Sequence, residues 1–311
     1  MHILIVGAGA IGTLLAALLQ PQGHHVSLLV RRARVAAAIR RQGITVLRGD
    51  ERQRLSAPAV ATDGAALAPA DLVCMCVKAY DTRAAAQAVR PAVAAGTLVL
   101  TLQNGLGNSE ILQAELPDAQ VLAGTTSEGA TLHSPGVVRH SGPGETVIGA
   151  CAAAHATRAA EVCALLRHAG LHCSAAADVT GIVWSKVVVN CAINPLGALL
   201  AVPNGRLLEL PGARQLLAAA ATEAAAVARS CGVQLLYDDP VAKAEQVCQA
   251  TAANRCSMLQ DFEAGRRTEI DSINGAVARR ASDLGLAAGC NAMLAGLVRS
   301  AGDLGLHAAA R

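Results

Sequence analysis

Lys186, Asn190 and Asn194 stand at four-residue intervals in Trp184-Ser-Lys-Val-Val-Val-Asn-Cys-Ala-Ile-Asn-Pro195, an otherwise apolar run. Four residues advance a helix by about 400°, so side chains at this spacing drift by only about 80° while climbing ~12 Å along the axis. One ammonium and two amides would then line a single helical face over the length of a small branched metabolite. Polar groups left unpaired out of water cost on the order of 1–3 kcal/mol each. A bound polar molecule would supply their partners. The structural alternative, Lys186 snorkelling to solvent and the asparagines pairing with nearby backbone, explains each residue singly. It does not explain the shared spacing.

A second polar concentration runs from Cys256 to Gly275, Cys-Ser-Met-Leu-Gln-Asp-Phe-Glu-Ala-Gly-Arg-Arg-Thr-Glu-Ile-Asp-Ser-Ile-Asn-Gly, inside an alanine-rich region. Part of it reads as helix punctuation: a helix ends at Gly265, and Thr268-x-x-Asp271 has the spacing of a capping box for the next one. Glu269 would complement that helix's dipole in this reading. Ser257 and Glu269 remain candidates for ligand contact.

Near the start, Gly7-Ala-Gly-Ala-Ile-Gly12 follows the strand-like Ile3–Val6 and opens a helix-compatible stretch. In that context a GxGxxG binds dinucleotides: Gly7 permits the turn, Gly9 lets the pyrophosphate approach backbone, and Gly12 lets helix and strand pack closely. The helix N-terminus offers free N–H groups to the phosphates. The next strand, Val26–Val30, runs into Arg31 and Arg32 where NAD-selective proteins usually carry a carboxylate. A cation there favours a 2′-phosphate, so NADP(H) is expected, with Arg31 as the reader and Arg32 and Arg34 solvated. Lys78 and Asn104 follow two further strands, Leu72–Val77 and Leu98–Leu102, at the edge where open α/β sheets bind ligands.

Elements must position these groups. At 311 residues the chain exceeds most single cores, and two domains are expected. Hydrophobic residues make up 53% and aromatics 1%, so Ala, Val, Leu and Ile must fill the core. Strand-like runs alternate with helical ones through the first half, the signature of βαβ units and a parallel sheet. Gly136–His140 and Thr146–Gly149 look like strands added to the sheet's far edge, followed by a helix over Ala156–His168 and a strand over Leu171–Ser174. Beyond about Asp178 only helical patterns remain, with breaks at Pro195, Pro203, Pro211 and Pro240 and at glycines 232, 265 and 285. No apolar run reaches the roughly 18–20 residues of a membrane span, so no transmembrane helix is expected. The chain opens directly as a strand without a basic leader, which predicts a cytoplasmic protein. Ten scattered cysteines lack zinc-site pairing, and a formal charge of +3 without a basic block disfavours nucleic acid. Alanine-rich helical faces suit either core or interface, leaving a homodimer open.

Taken together, these motifs resemble the ketopantoate reductases (2-dehydropantoate 2-reductases) over almost the whole chain. The resemblance rests on Gly7–Gly12, Arg31, Cys76-Val-Lys78, Leu102-Gln-Asn104-Gly, Trp184-x-Lys186-x-x-x-Asn190-x-x-x-Asn194-Pro-Leu, Pro203-Asn204-Gly, Ser257-Met-Leu-Gln-Asp261 and Arg267-Thr-Glu-Ile-Asp-x-Ile-Asn-Gly275. It implies an α/β protein with a Rossmann-type NADP-binding domain of mostly parallel sheet over residues 1–176 and an all-helical substrate domain over 177–311. NADPH would meet 2-dehydropantoate in a cleft between them, giving (R)-pantoate for pantothenate and coenzyme A synthesis. By the same resemblance Lys186 is the catalytic proton donor, and Asn190, Asn194, Asn204 and Ser257 bind substrate, Ser257 gripping its carboxylate. Glu269 lies beside the reacting groups, fixing cofactor ribose or substrate and holding Lys186 charged. Gly7, Ala8, Gly9, Ala10, Ile11, Gly12, Arg31, Lys78, Asn104 and Ala130 contact cofactor. The loop Gly124-Thr-Thr-Ser-Glu-Gly-Ala130 departs most from the family pattern, with Glu128 near the nicotinamide edge. A paralogue acting on another small 2-oxo acid is the alternative within the class. A non-catalytic NADP(H) sensor is the alternative outside it, and a sensor has no need of a proton donor.

Overall fold

The structure is a computed structural model that describes residues 1–306; residues 307–311 of the predicted helical domain lie outside the described part. The chain divides into two compact units, one of Met1–Gln103 with Asn108–Val179, the other of Asn104–Gly107 with the remainder from Thr180.

The first unit carries, in order, β1 (His2–Val6), α1 (Ala10–Leu19), β2 (His25–Leu29), α2 (Ala33–Gln42), β3 (Ile44–Arg48), β4 (Glu51–Leu55), β5 (Ala59–Ala61), β6 (Leu72–Met75), α3 (Thr82–Val89), β7 (Leu98–Thr101), α4 (Asn108–Glu115), β8 (Gln120–Thr126), β9 (Gly129–Ser134), β10 (Val137–Gly142), β11 (Glu145–Ala150), α5 (Ala156–His168) and β12 (His172–Ala176). An eight-stranded sheet has the order β12-β11-β8-β7-β6-β1-β2-β5. Its strands from β5 to β8 are mutually parallel, while β11 pairs antiparallel with β8 and parallel with β12. Val6 is level with Leu29 and Met75, and Met75 with Thr101. Four strands therefore finish at one height, and the segments that leave them emerge along a single edge.

A second sheet, β4-β3-β10-β9, changes one expectation. Gly136–His140 does not extend the main sheet: as β10 it pairs parallel with β3 and antiparallel with β9, and only β11 adds to the far edge. Its partner β3 went unread together with β4, whose Glu-Arg-Gln-Arg-Leu is charged and exposed, the composition of a guarded edge strand without alternation. The small sheet covers α1, which packs against β1 and β2 on one side and β3, β9 and β10 on the other. That sandwich is why Gly12–Ala17 and Leu19 are buried and why the helix is apolar all round.

The second unit contains α6 (Val179–Leu200), α7 (Arg206–Glu209), α8 (Pro211–Ser230), α9 (Pro240–Ala250), α10 (Ser257–Glu263), a 3₁₀ turn Ile270–Ser272, α11 (Asn274–Asp283) and α12 (Gly289–Asp303). Pro211 and Pro240 begin helices, and Gly232, Gly265 and Gly285 follow helix ends with positive φ. Pro195, expected as a stop, lies inside α6, which continues to Leu200. Nor does the capping box form. The turn after Thr268 is 3₁₀, α11 begins only at Asn274 without a side-chain cap, and Asp271 instead pairs with Arg267 at 3.1 Å and Arg299 at 3.6 Å. By length and apolarity alone α6 could cross a membrane, contrary to expectation, yet 78% of its apolar window is buried in the protein. It is the central helix of the unit, with Trp184, Val187, Val188, Cys191, Ala192 and Leu196 in the core.

Candidate active site

The edge above β1, β6 and β7 takes its shape from glycine. Gly7 has φ +99°, a conformation that side chains rarely adopt, and an added Cβ would strike Val77. A Cβ on Gly12 would overlap the Gly7 carbonyl, so helix and turn can pack this closely only without one. At Gly9 the nearest atom to an added Cβ is the Cys76 carbonyl at 3.8 Å, which leaves room for a ligand to approach the backbone. Gly9 also caps α1 without a side-chain bond, and the first N–H groups of any helix lack intrahelical partners. This open turn has the space and the free N–H groups that a dinucleotide pyrophosphate would need.

Arg31, just beyond β2, is exposed and reaches Asp81 at 3.1 Å, in the turn that follows Lys78. An exposed pair of this kind is worth at most about 1 kcal/mol, so the guanidinium is available to a stronger anion. Gln103 braces the same edge, donating to the Val77 carbonyl at 2.8 Å and to Thr82 Oγ at 2.8 Å. Its role was not read from sequence; its place immediately before Asn-Gly at a strand end was the available signal. Ala130, the second residue of β9, lies opposite His140. Glu128, nearby, has an almost fully buried side chain within hydrogen-bond distance of His140 Nε2, at 2.7 Å, which accounts for a carboxylate in that loop.

In the second unit Val183, Lys186 and Asn190 form a stripe along α6, and these are its half-buried positions in the otherwise buried stretch from Gly181 to Ala198. Asn194, on the same stripe, is 6% exposed. Burial pulls the Lys186 ammonium down from its ordinary 10.5 to about 8, while the Glu269 carboxylate acts in the opposite direction. Glu269 is itself buried and accepts from Asn104 Nδ2 at 3.5 Å. Asn104 thus belongs with the helical unit, held there by the Leu106 N–H bond to the Ser272 carbonyl at 2.8 Å. Gly105, at φ +90°, sits where any Cβ would collide with Ser272.

Asn204 and Ser257 are tied to the C-terminal part of α6. Val202 bonds Gly197, and Asn204 N–H bonds the Asn254 carbonyl in the approach to α10. Cys256 caps α10 and donates its thiol to the Asn194 carbonyl at 3.5 Å. Asn204 Nδ2 donates to Thr251 Oγ at 2.8 Å, whose own proton goes to Val247. That fixes the amide's orientation and leaves Asn204 Oδ1 buried with no hydrogen-bond partner among the described residues. Ser257 is exposed at the first position of α10. The ten cysteines are free, and burial pushes Cys256 up to about 11, so this thiol is a cap and not a nucleophile.

A strand edge shaped for a dinucleotide and an amine able to part with its proton near neutral pH are what carbonyl reduction requires. They define a nicotinamide-dependent oxidoreductase with a Rossmann-type unit and a helical one. More narrowly, the chain belongs to the ketopantoate reductase PanE/ApbA family, whose first domain matches residues 3–153 and whose C-terminal domain matches residues 178–301. It is 42% identical over 301 residues to the 2-dehydropantoate 2-reductase of Halobacterium salinarum, covering 97% of this chain and 99% of the relative. The crystal structure of a PanE/ApbA family ketopantoate reductase from Ralstonia eutropha superposes with a TM-score of 0.89 at 34% identity, over 99% of this chain and 100% of that one. A D-mandelate dehydrogenase bound to NADH and anilino(oxo)acetate superposes at 0.92 with 26% identity, covering 98% and 99%.

The amine makes a direct prediction. In protein labelled at lysine Cε, Lys186 should titrate near 8, and Glu269→Gln should move that midpoint lower by removing the charge that favours the ammonium. A Lys186 midpoint at its ordinary 10.5 would contradict the described environment.

Proposed function

We propose that this protein reduces 2-dehydropantoate to (R)-pantoate with NADPH, serving pantothenate and coenzyme A synthesis in the cytoplasm. The observation that carries the proposal is the buried amine of Lys186 beside Glu269, on a helix face that continues through Asn190 and Asn194. When bound, the reduced nicotinamide supplies the hydride. Reduction of a ketone carbon would gather negative charge on its oxygen. A cation already aimed there stabilises the transition state more than the ground state. Lys186 then gives its proton to that oxygen. A value near 8 leaves the group charged at neutral pH and still a competent acid. Glu269 keeps the ammonium form populated in a place where burial would otherwise discharge it.

Asn190 and Asn194 offer amide donors along the substrate, and the Ser257 hydroxyl suits its carboxylate. The unpartnered Asn204 Oδ1 would accept from a substrate hydroxyl, which supports an acid hydroxylated at C4 over a plain 2-oxo acid. Gly7–Gly12, Lys78 and Ala130 would hold the dinucleotide, with Arg31 on the 2′-phosphate. Asn104, through Glu269, stands with the reacting groups. Exposed Leu216, Met293 and Leu297 give the helical unit apolar surface that a homodimer would cover.

One observation favours a second reading, reduction of another 2-oxo acid: the fold is as close to a D-mandelate dehydrogenase as to the ketopantoate reductases. NADPH oxidation with 2-dehydropantoate and with 2-oxoisovalerate separates the two. The proposal predicts a preference for 2-dehydropantoate of at least about tenfold in kcat/KM, and a smaller ratio would transfer the function to another acid. Lys186→Ala should lower kcat by ~10²–10⁴ with NADPH affinity nearly unchanged, and full activity would remove the assigned acid. Cofactor choice has its own test. Arg31→Ala should weaken NADPH binding about tenfold or more and NADH binding hardly at all, and equal losses would mean that Arg31 does not read the phosphate.

A further inference from the structure

Proline at position 195 has no N–H, so within α6 it withdraws the hydrogen bond that a helix would deliver to the carbonyl four residues earlier, that of Cys191. Such a gap ordinarily kinks a helix by more than about 20°. Here it falls between Asn190 and Asn194, and a kink would swing Lys186 and Asn190 away from Asn194. The Cys191 carbonyl nevertheless has a donor: Asn274 Nδ2, at 3.0 Å, from a side chain with no exposure at all. We propose that Asn274 is a positioning residue for the substrate helix, its amide replacing the donor that Pro195 lacks and holding α6 in one register with the segment that carries Glu269.

Three features of the surroundings give Asn274 this role. Its Nδ2 has two hydrogens, and the second goes to Asn291 Oδ1 at 3.0 Å, so both donors are committed, while Asn274 Oδ1 is buried without a hydrogen-bond partner among the described residues. Both partners are oxygen acceptors, which fixes which end of the amide faces α6. Asn291 is anchored in turn. Its Nδ2 donates to the Ala220 carbonyl at 3.1 Å and to Glu223 at 3.0 Å, and its backbone N–H reaches the same carboxylate at 3.0 Å. A buried chain of bonds therefore runs from α8 through the start of α12 and the start of α11 to the middle of α6. The near end of that chain lies on the Glu269 segment, where Ile273 N–H bonds the Glu269 carbonyl at 3.2 Å. One side chain thus links the segment bearing the carboxylate to the helix bearing the amine. Asn274 touches no reacting atom. It acts through the course of α6 past Pro195, and the inference rests on the reading of that helix as the substrate face.

The test compares Asn274→Ala, Pro195→Ala and the double variant in the full-length protein. Asn274→Ala should lower kcat/KM for 2-dehydropantoate about tenfold or more and shift the pH at which reduction falls off, while NADPH affinity stays within about twofold. Pro195→Ala alone should cost less than about threefold, because it returns a backbone donor to Cys191. Added to Asn274→Ala it should recover at least about fivefold in kcat/KM and raise the thermal midpoint above that of the single variant. If Asn274→Ala cannot be isolated in folded form, the double variant should be recovered soluble and active. The proposal is overturned if the two substitutions act independently, if Asn274→Ala retains full kcat/KM with an unmoved pH profile, or if the double variant is as insoluble as the single. Should the unaltered protein reduce no 2-oxo acid, the functional reading fails. The thermal midpoints of the three variants still decide the coupling between Pro195 and Asn274.

Discussion

The site depends on one electrostatic compromise, an ammonium kept in a place that disfavours its charge. Withdrawing an amine from water costs it protonation, and a neutral lysine has no proton to donate to an alkoxide. A carboxylate alone would push the other way and produce a group too weakly acidic to be useful. Lys186 has both influences, with burial the stronger, and settles near 8. The helical unit can be understood as the scaffold for that balance. Its apolar helices remove water, and one buried glutamate, bonded to Asn104, returns part of the stabilisation.

The Rossmann-type unit meets a simpler requirement by register. Its central strands end level, so the turn of glycines, the arginine after β2 and the lysine after β6 come out along a common edge although they are far apart in sequence. Two of the three motif glycines are enforced by collisions that a Cβ would cause, and the third leaves open space. The motif therefore separates into structural positions, Gly7 and Gly12, and an approach position, Gly9. The small sheet over α1 adds a cover that makes the whole helix core.

Much of this was legible in the sequence because local pattern and global role agree. The four-residue spacing of Lys186, Asn190 and Asn194 survives as one stripe of α6, and the α5 bounds Ala156–His168 match the expectation residue for residue. What stayed hidden depended on partners distant in the chain. β3 and β4 lack alternation, and with them the location of β10 was lost. Thr268 and Asp271 have capping-box spacing, but the arginines 267 and 299 claim the aspartate. Pro195 looks like a stop because proline removes a helical bond. It is not one, and the substitute donor, Asn274, lies 79 positions later, beyond the reach of any local rule. Asn204 could be singled out from its motif, but only coordinates reveal that its amide oxygen is orphaned.

The most direct measurement of the central claim is the pH dependence of kcat/KM for 2-dehydropantoate reduction in the unaltered protein. A buried lysine acid predicts a plateau through neutral pH and a tenfold fall per unit above about 8, governed by a single ionisation. A rate that stays level up to about pH 10, near the ordinary lysine range, would mean that the proton does not come from an amine in the environment described for Lys186.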